Sequence, residues 1–187
     1  EVLHLADQYG GNLRHATGAM SNRFGAAGRG AVLQFVGESG LGKTLLARAV
    51  AAHLGVRTLE VDCGKLASED ARFKTVIEGL FWQARMADAV LVLDSADAIM
   101  TANNPRLVAL FQQFDLWEGV CVLIVGDKER VDPSVERWVL YEMIFEPPEE
   151  DQRFRLWELH LPEYPPQADD VDVEFLANQY EITGNQI

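Results

Sequence analysis

The sequence predicts an α/β protein, and three observations predict it. Apolar residues recur with period two in some segments and with period 3.6 in the segments between them, over roughly residues 30–160. Two of the strand-like segments, AVLQFV (31–36) and VCVLIVG (120–126), are almost continuously apolar, as in strands of a sheet covered on both faces. The first of them runs directly into a glycine-rich stretch, GESGLGKT (37–44), and then into a helical pattern, the punctuation of a strand–loop–helix unit.

The elements follow in order. AVLQFV is the first strand. A helix runs from Lys43 to about Leu54, with Leu46, Val50 and Leu54 on one stripe and Gly55 to stop it. VRTLEVD (56–62) alternates like a strand. From Asp70 to Ala87, the residues Phe73, Val76, Ile77, Leu80, Phe81 and Ala84 draw a single helical stripe. AVLVLD (89–94) is the third strand. A helix that starts near Pro105 carries Leu107, Leu110, Phe111, Phe114 and Trp117. VCVLIVG is the fourth strand and EMIFE (142–146) a shorter fifth, ended by Pro147 and Pro148. Glu149 to His160 reads as a helix with Phe154 and Trp157. The prolines and acids of LPEYPPQADD (161–170) mark a linker, and VEFLANQYEITGNQI (173–187) opens a further helical segment. The division expected is an N-terminal helical segment over 1–29, a core over 30–160, and a linker with the start of a small helical element over 161–187. LADQYGGNLRHA (5–16) echoes LANQYEITGNQI (176–187). Two short amphipathic helices can match by chance; a tandem array, with 1–29 the tail of a preceding module, would also give the echo.

Composition narrows the function classes. The 187 residues are 48% apolar and 24% charged, which fits a folded globular chain and not a disordered one. No apolar run exceeds about six residues, far below a membrane span. The net charge is −13, of which −10 falls in residues 142–187, so a basic footprint for direct nucleic-acid contact is missing. Cys63 and Cys121 have no metal-ligand spacing and read as small buried hydrophobes of a reducing, cytoplasmic compartment.

Two motifs carry chemistry. GESGLGKT fits G-x-x-x-x-G-K-[ST] through Gly37, Gly42, Lys43 and Thr44. Glycines let successive backbone N–H groups converge on phosphate oxygens, and the helix that follows adds its positive end. Residues Gly37, Glu38, Ser39, Gly40, Leu41, Gly42, Lys43, Thr44 and Leu45 are therefore expected to hold a nucleotide, ATP or ADP. Lys43 would bridge the β- and γ-phosphates, and the Thr44 hydroxyl would bind Mg2+. The second motif is Asp94, an acid ending an apolar strand about fifty residues later. It suits a carboxylate that holds Mg2+ partly through water.

GESGLGKTLLARAVAAHLG, VLVLDSADAIM, VCVLIVGDKERVDPSVER and IFEPPEEDQRFRLWELHLP, in this order and at these spacings, resemble an AAA+ ATPase module of the P-loop NTPases. The resemblance covers about residues 30–187. It implies a three-layer α/β/α fold with a parallel five-stranded sheet, the start of a helical lid, and assembly into homo- or hetero-oligomers with nucleotide between AAA+ modules. Gly37–Thr44 then form the Walker A loop and Asp94 is the Walker B magnesium acid. The family's catalytic glutamate falls at position 95, where this chain has Ser95, a degenerate Walker B motif. Asp97 keeps the last acid of the family's tetrad, and Asp127 stands where the family has a sensor asparagine. The arginine finger is expected at Arg137, with Arg130 earlier in the same segment. The second sensor arginine would lie beyond residue 187. Around Lys65 the chain lacks the pore-loop aromatic of substrate-threading members; the nearest aromatic is Phe73.

The reading that these residues favour is an ATP-binding module with intact phosphate loop and magnesium acid but weak or no hydrolysis, because a hydroxyl cannot take a proton from water as a carboxylate can. An active ATPase that draws its base from Asp97 or from a partner subunit is the alternative. A small P-loop kinase fits poorly, since the segment after residue 160 is acidic where a phosphate clamp would be basic.

Overall fold

The computed structural model describes residues 30–68, 72–161, 172–180 and Thr183. Its centre is one five-stranded sheet. The strands are β1 (Ala31–Val36), β2 (Arg57–Asp62), β3 (Ala89–Asp94), β4 (Val120–Val125) and β5 (Val139–Ile144), in the spatial order β2-β3-β4-β1-β5. Every neighbouring pair is parallel. The helices are α1 (Lys43–Leu54), the short α2 (Cys63–Leu66), α3 (Phe73–Met86), α4 (Arg106–Asp115), α5 (Glu150–His160) and α6 (Val173–Gln179).

The continuous apolar strands are explained by the two faces that they serve. Along β4, Cys121, Leu123 and Val125 join the core under α2, α3 and α4, while Val120, Val122 and Ile124 join the core under α1. The first core is sealed by aromatic rings: Phe81 of α3 meets Trp117 at 5.1 Å and Phe114 at 5.8 Å, both edge-on. Edge-to-face pairs of this kind add about 0.5–1.5 kcal/mol beyond the area that they bury.

Several boundaries differ from the expectation. The stripe on α1 stops short of Leu54, which is 39% exposed at the last helical residue, beside the left-handed Gly55 cap. The helix expected from Asp70 begins at Phe73, and residues 69–71 lie outside the described part. α4 ends at Asp115, so Trp117 belongs to the following turn, although its side chain is still buried. The fifth strand starts at Val139, three residues before the expected Glu142, because β1 supplies a template from Val32 onwards. It ends at Ile144, two residues before the expected Glu146, although the Phe145 N–H still donates to the Val36 carbonyl. α5 begins just after Pro147 and Pro148, and Glu149 and Gln152 form a reciprocal capping box. The N-terminal segment 1–29, the 5–16 repeat, and most of the expected linker and C-terminal tail fall outside the described residues. Among the described residues no helix is long and apolar enough to cross a membrane.

Both cysteines are free and buried. Burial pushes the Cys63 thiol up to about 12, with Asp94, Asp62 and Asp97 adding to the effect. Cys121, in the sheet interior, is likewise raised well above the usual thiol range by burial, with Cys63 adding to the effect. The reactive thiolate is thus scarce at ordinary pH. At pH 8 neither thiol should react with Ellman's reagent in the folded chain, and both should react on addition of denaturant.

Candidate nucleotide-binding site

All five strands end at the same edge of the sheet. At that edge β1 delivers Gly37, β3 delivers Asp94, and β4, which lies between them, delivers Gly126. This carboxyl edge is where parallel α/β sheets place their ligands.

The loop after β1 is built from backbone conformations that glycine alone tolerates well. Gly37 has φ +147°, and a Cβ there would run into the Phe145 carbonyl oxygen. Gly40 and Gly42 have φ of 88° and 87°. Space is not the constraint at Gly42, where a Cβ would meet nothing within 4 Å; the left-handed backbone that starts α1 is. The first backbone bond of α1 runs from Leu46 N–H to the Gly42 carbonyl at 2.9 Å, so the amides of Lys43, Thr44 and Leu45 precede the ladder at its positive end.

Lys43 is buried, and its ammonium donates to the carbonyls of Gly37, at 2.6 Å, and Glu38. Burial lowers its pKa, while Asp94, Asp97 and Glu38 oppose the shift, which places both aspartates in the field of the lysine. A desolvated cation that can find only carbonyl partners, under a cradle of left-handed glycines, fits a phosphate group well. Thr44 and Leu45 follow on the first turn of α1.

Asp94 closes β3 in register with Asp62 of β2, and its Oδ1 accepts from the Ser95 N–H at 2.8 Å. Among the described residues no three His, Cys, Asp or Glu side chains are grouped to hold a metal by themselves. A divalent ion at Asp94 would therefore lean on Thr44, phosphate oxygens and water for its remaining ligands. Ser95 is exposed and left-handed, with φ 54° and ψ 43°, an uncommon backbone for a non-glycine residue. Strained backbone of this type concentrates at functional turns.

The remaining candidates are engaged elsewhere. Asp97 is nearly buried. Its Oδ1 accepts from the Gly126 N–H at 3.3 Å, and its Oδ2 lies 3.6 Å from Arg130 Nη1. Asp127 caps the 3-10 turn Lys128–Arg130 by accepting from the Glu129 N–H at 2.9 Å. Arg137 sits at the opposite edge of the sheet from the phosphate loop, two residues before the start of β5. Its guanidinium lies 3.5 Å from the centroid of the Trp138 ring, and Trp138 stacks on Phe111 at 4.0 Å and donates to Asp115. Lys65 pairs with Asp62 at 3.1 Å, and Phe73 is buried at the start of α3.

Sequence reasoning missed three of these features: the Asp97–Gly126 bond, the Asp97–Arg130 pair, and the anchoring of Lys128 by Glu142 at 2.6 Å and Glu136 at 3.6 Å. Each joins residues distant in the chain, with no local pattern to betray it.

The sheet order, the glycine loop under a buried lysine and the acid at the end of β3 define an AAA+ ATPase module with a P-loop-type fold. The family model for the ATPase family associated with various cellular activities (AAA) matches residues 33–147, and the chain belongs to that family. The chain is also similar to the ATP-dependent zinc metalloprotease FtsH of Rhodothermus marinus, 28% identical over 164 residues, or 77% of this chain and 23% of that protein. It thus spans less than a quarter of the length of this relative. A structure solved as the structural basis for katanin self-assembly superposes with a TM-score of 0.70 over 83% of this chain and 54% of that one, at 23% identity, a likeness of fold.

Proposed function

We propose that this module holds ATP or ADP with Mg2+ and hydrolyses ATP slowly or not at all, so that bound nucleotide acts as structural glue or as a switch between neighbouring AAA+ modules. One observation carries the reading: the residue after the magnesium acid is Ser95, exposed and held left-handed, with no carboxylate of its own to activate water. Asp97, three residues after Asp94, is already shared between the Gly126 N–H and Arg130, which leaves it poorly free to act as the base. Asp127 brings a further negative charge to the turn after β4, and extra negative charge near a γ-phosphate opposes its binding unless a cation offsets it.

The roles follow from the chain's own groups. The loop amides and the start of α1 orient the phosphates, Lys43 balances their charge, and Thr44 and Asp94 hold the ion, which when bound would neutralise charge on the terminal phosphate. The layout supports a nucleotide-binding core over 30–160, which ends with α5, and the start of a lid beyond it, to which α6 belongs. The position of Arg137 at the edge opposite the phosphate loop favours a role toward a neighbouring module over one in its own site.

The test is ATP turnover of the purified chain across a concentration series, with bound nucleotide quantified beside it. The expected result is stoichiometric nucleotide and turnover no higher than that of the Lys43→Ala variant. Turnover that rises steeply with protein concentration would instead show that a second subunit completes an active site.

A further inference from the structure

We propose that segment 1–29 of this chain docks on an apolar patch at the amino edge of the sheet, made by Trp82 and Met86 of α3 and by Leu116 of the turn before β4. These side chains are 64%, 67% and 65% exposed. They are neighbours: Arg85, which stands between Trp82 and Met86 in α3, donates to the Leu116 carbonyl at 2.6 Å, and the Phe81 ring meets that of Trp117. The patch lies where the parallel strands begin. Gly30 leads into β1, Asp88 into β3 and Gly119 into β4, at the end of the sheet away from Gly37 and Asp94. Gly79 shares the outer stripe of α3 with Trp82 and Met86. A glycine weakens a helix interior, and a Cβ at this one would meet nothing within 4 Å, so no crowding among the described residues calls for it. A segment laid across α3 can approach its backbone closely there.

Connectivity, an orphaned donor and charge together select the occupant. The Gly30 N–H donates to the Trp117 carbonyl at 2.7 Å, so segment 1–29 joins the sheet one residue from Leu116. Trp117 is only 3% exposed, yet its buried Nε1 has no acceptor. A Cβ on Gly30 would come within 2.6 Å of Trp117 Cδ1, the ring atom bonded to that nitrogen. A buried N–H without an acceptor is costly, and the chain that precedes Gly30 is tethered within reach to supply a carbonyl. The segment has the apolar residues to match the patch: Leu13, Ala16, Met20 and Phe24 fall at i, i+3, i+7 and i+11, one stripe at helical spacing. It also has the charge. Residues 8–29 hold Arg14, Arg23 and Arg29 and no acid, in a chain of net charge −13, while exposed Asp88 and Glu118 flank the patch. Six residues separate Phe24 from Gly30, a span of at most about 20 Å, and so short a tether gives the segment a local concentration that a separate chain does not match.

Limited trypsin digestion of the full chain, read by mass spectrometry at Arg14 and Arg23, tests the docking, with a synthetic peptide of residues 1–29 as the unprotected reference. Cleavage in the parent chain should be at least about tenfold slower than in the peptide, because it follows the population of the undocked form, and equally slow at every protein concentration. Replacing Trp82→Gln and Met86→Gln together should bring the rate to within about twofold of the peptide's. Both side chains are exposed and glutamine suits a helix, so the core is kept. Met20→Ser makes the same change from the segment's side and should give the same acceleration without touching α3. A parent chain cleaved as fast as the peptide, or a patch variant cleaved as slowly as the parent, would overturn the inference. Protection that fades on dilution would overturn it too, since the occupant would then be a second copy of the chain.

Discussion

Ser95→Glu should raise ATP turnover by about 10²- to 10⁴-fold over the parent chain, the range that a positioned general base contributes. The serine hydroxyl stays protonated near neutral pH and cannot accept a proton from attacking water, whereas a glutamate at the same position can. The substitution is well tolerated on physical grounds. Ser95 is exposed, so a longer side chain displaces solvent and no core atom. The left-handed backbone, φ 54°, already costs about 1–2 kcal/mol for any residue with a Cβ, and the serine bears that cost now. Melting temperatures of parent and variant should therefore be similar while their turnover numbers separate. A variant with normal nucleotide occupancy and no gain in rate would mean that the missing carboxylate is not what limits hydrolysis. Asp127 would then be the next suspect, and adding Asp127→Asn to the Ser95→Glu chain would test it.

Lys43→Ala should reduce Mg-ATP affinity by about 100-fold, with a larger loss for ATP than for ADP. Hydrogen bonds to a charged group are worth about 1.5–3 kcal/mol each, and Lys43 is placed to make more than one to the phosphates. The fold should survive the change. The ammonium is desolvated, as its lowered pKa reports, and in the free chain it is offset only by two carbonyls and by more distant carboxylates. Replacing it leaves Gly37 and Glu38 carbonyls that water can reach at the loop surface, so the thermal midpoint should move little. Equilibrium dialysis with labelled ATP, beside a thermal melt, reads both halves of the expectation. A variant that unfolds would show Lys43 to be a structural clamp of the loop as well as a phosphate ligand.

The parts of the fold legible in the sequence were those with a strong period or strong punctuation. β1, β3 and β4 announce themselves as continuous apolar runs, and α1 is bracketed by Gly42 and Gly55. Edges were harder. β5 begins at Val139 because β1 offers hydrogen-bonding partners there, and nothing in WVLYEMIF marks that point. Trp117 keeps helical spacing with Leu110 and Phe114 yet lies beyond the helix; what the sequence registered was its burial against Phe81, which a turn can deliver as well as a helix. In the site, the loop and Asp94 were legible because phosphate chemistry demands particular residue types at fixed local spacing. The engagements of Asp97 and Arg130 were not. They join Asp97 to residues 126 and 130, across β4, and local spacing carries no information about such pairs.

The outer strand β2 limits how another chain could attach to the sheet. Among the described residues no strand pairs with the outer side of its backbone, since β2 lies at the end of the sheet. Such an edge invites edge-to-edge growth with another chain. Here Arg57, Glu60 and Asp62 stand exposed along it, and Glu60 is further tied to Arg48 of α1 through paired bonds of 2.7 and 2.8 Å. An incoming strand would have to strip water from charges of both signs and dislodge that arginine. Sheet extension is thus discouraged at this end of the sheet, and a protein approaching from this side would have to dock on helices and turns, whose shapes, unlike a bare strand edge, can distinguish one partner from another.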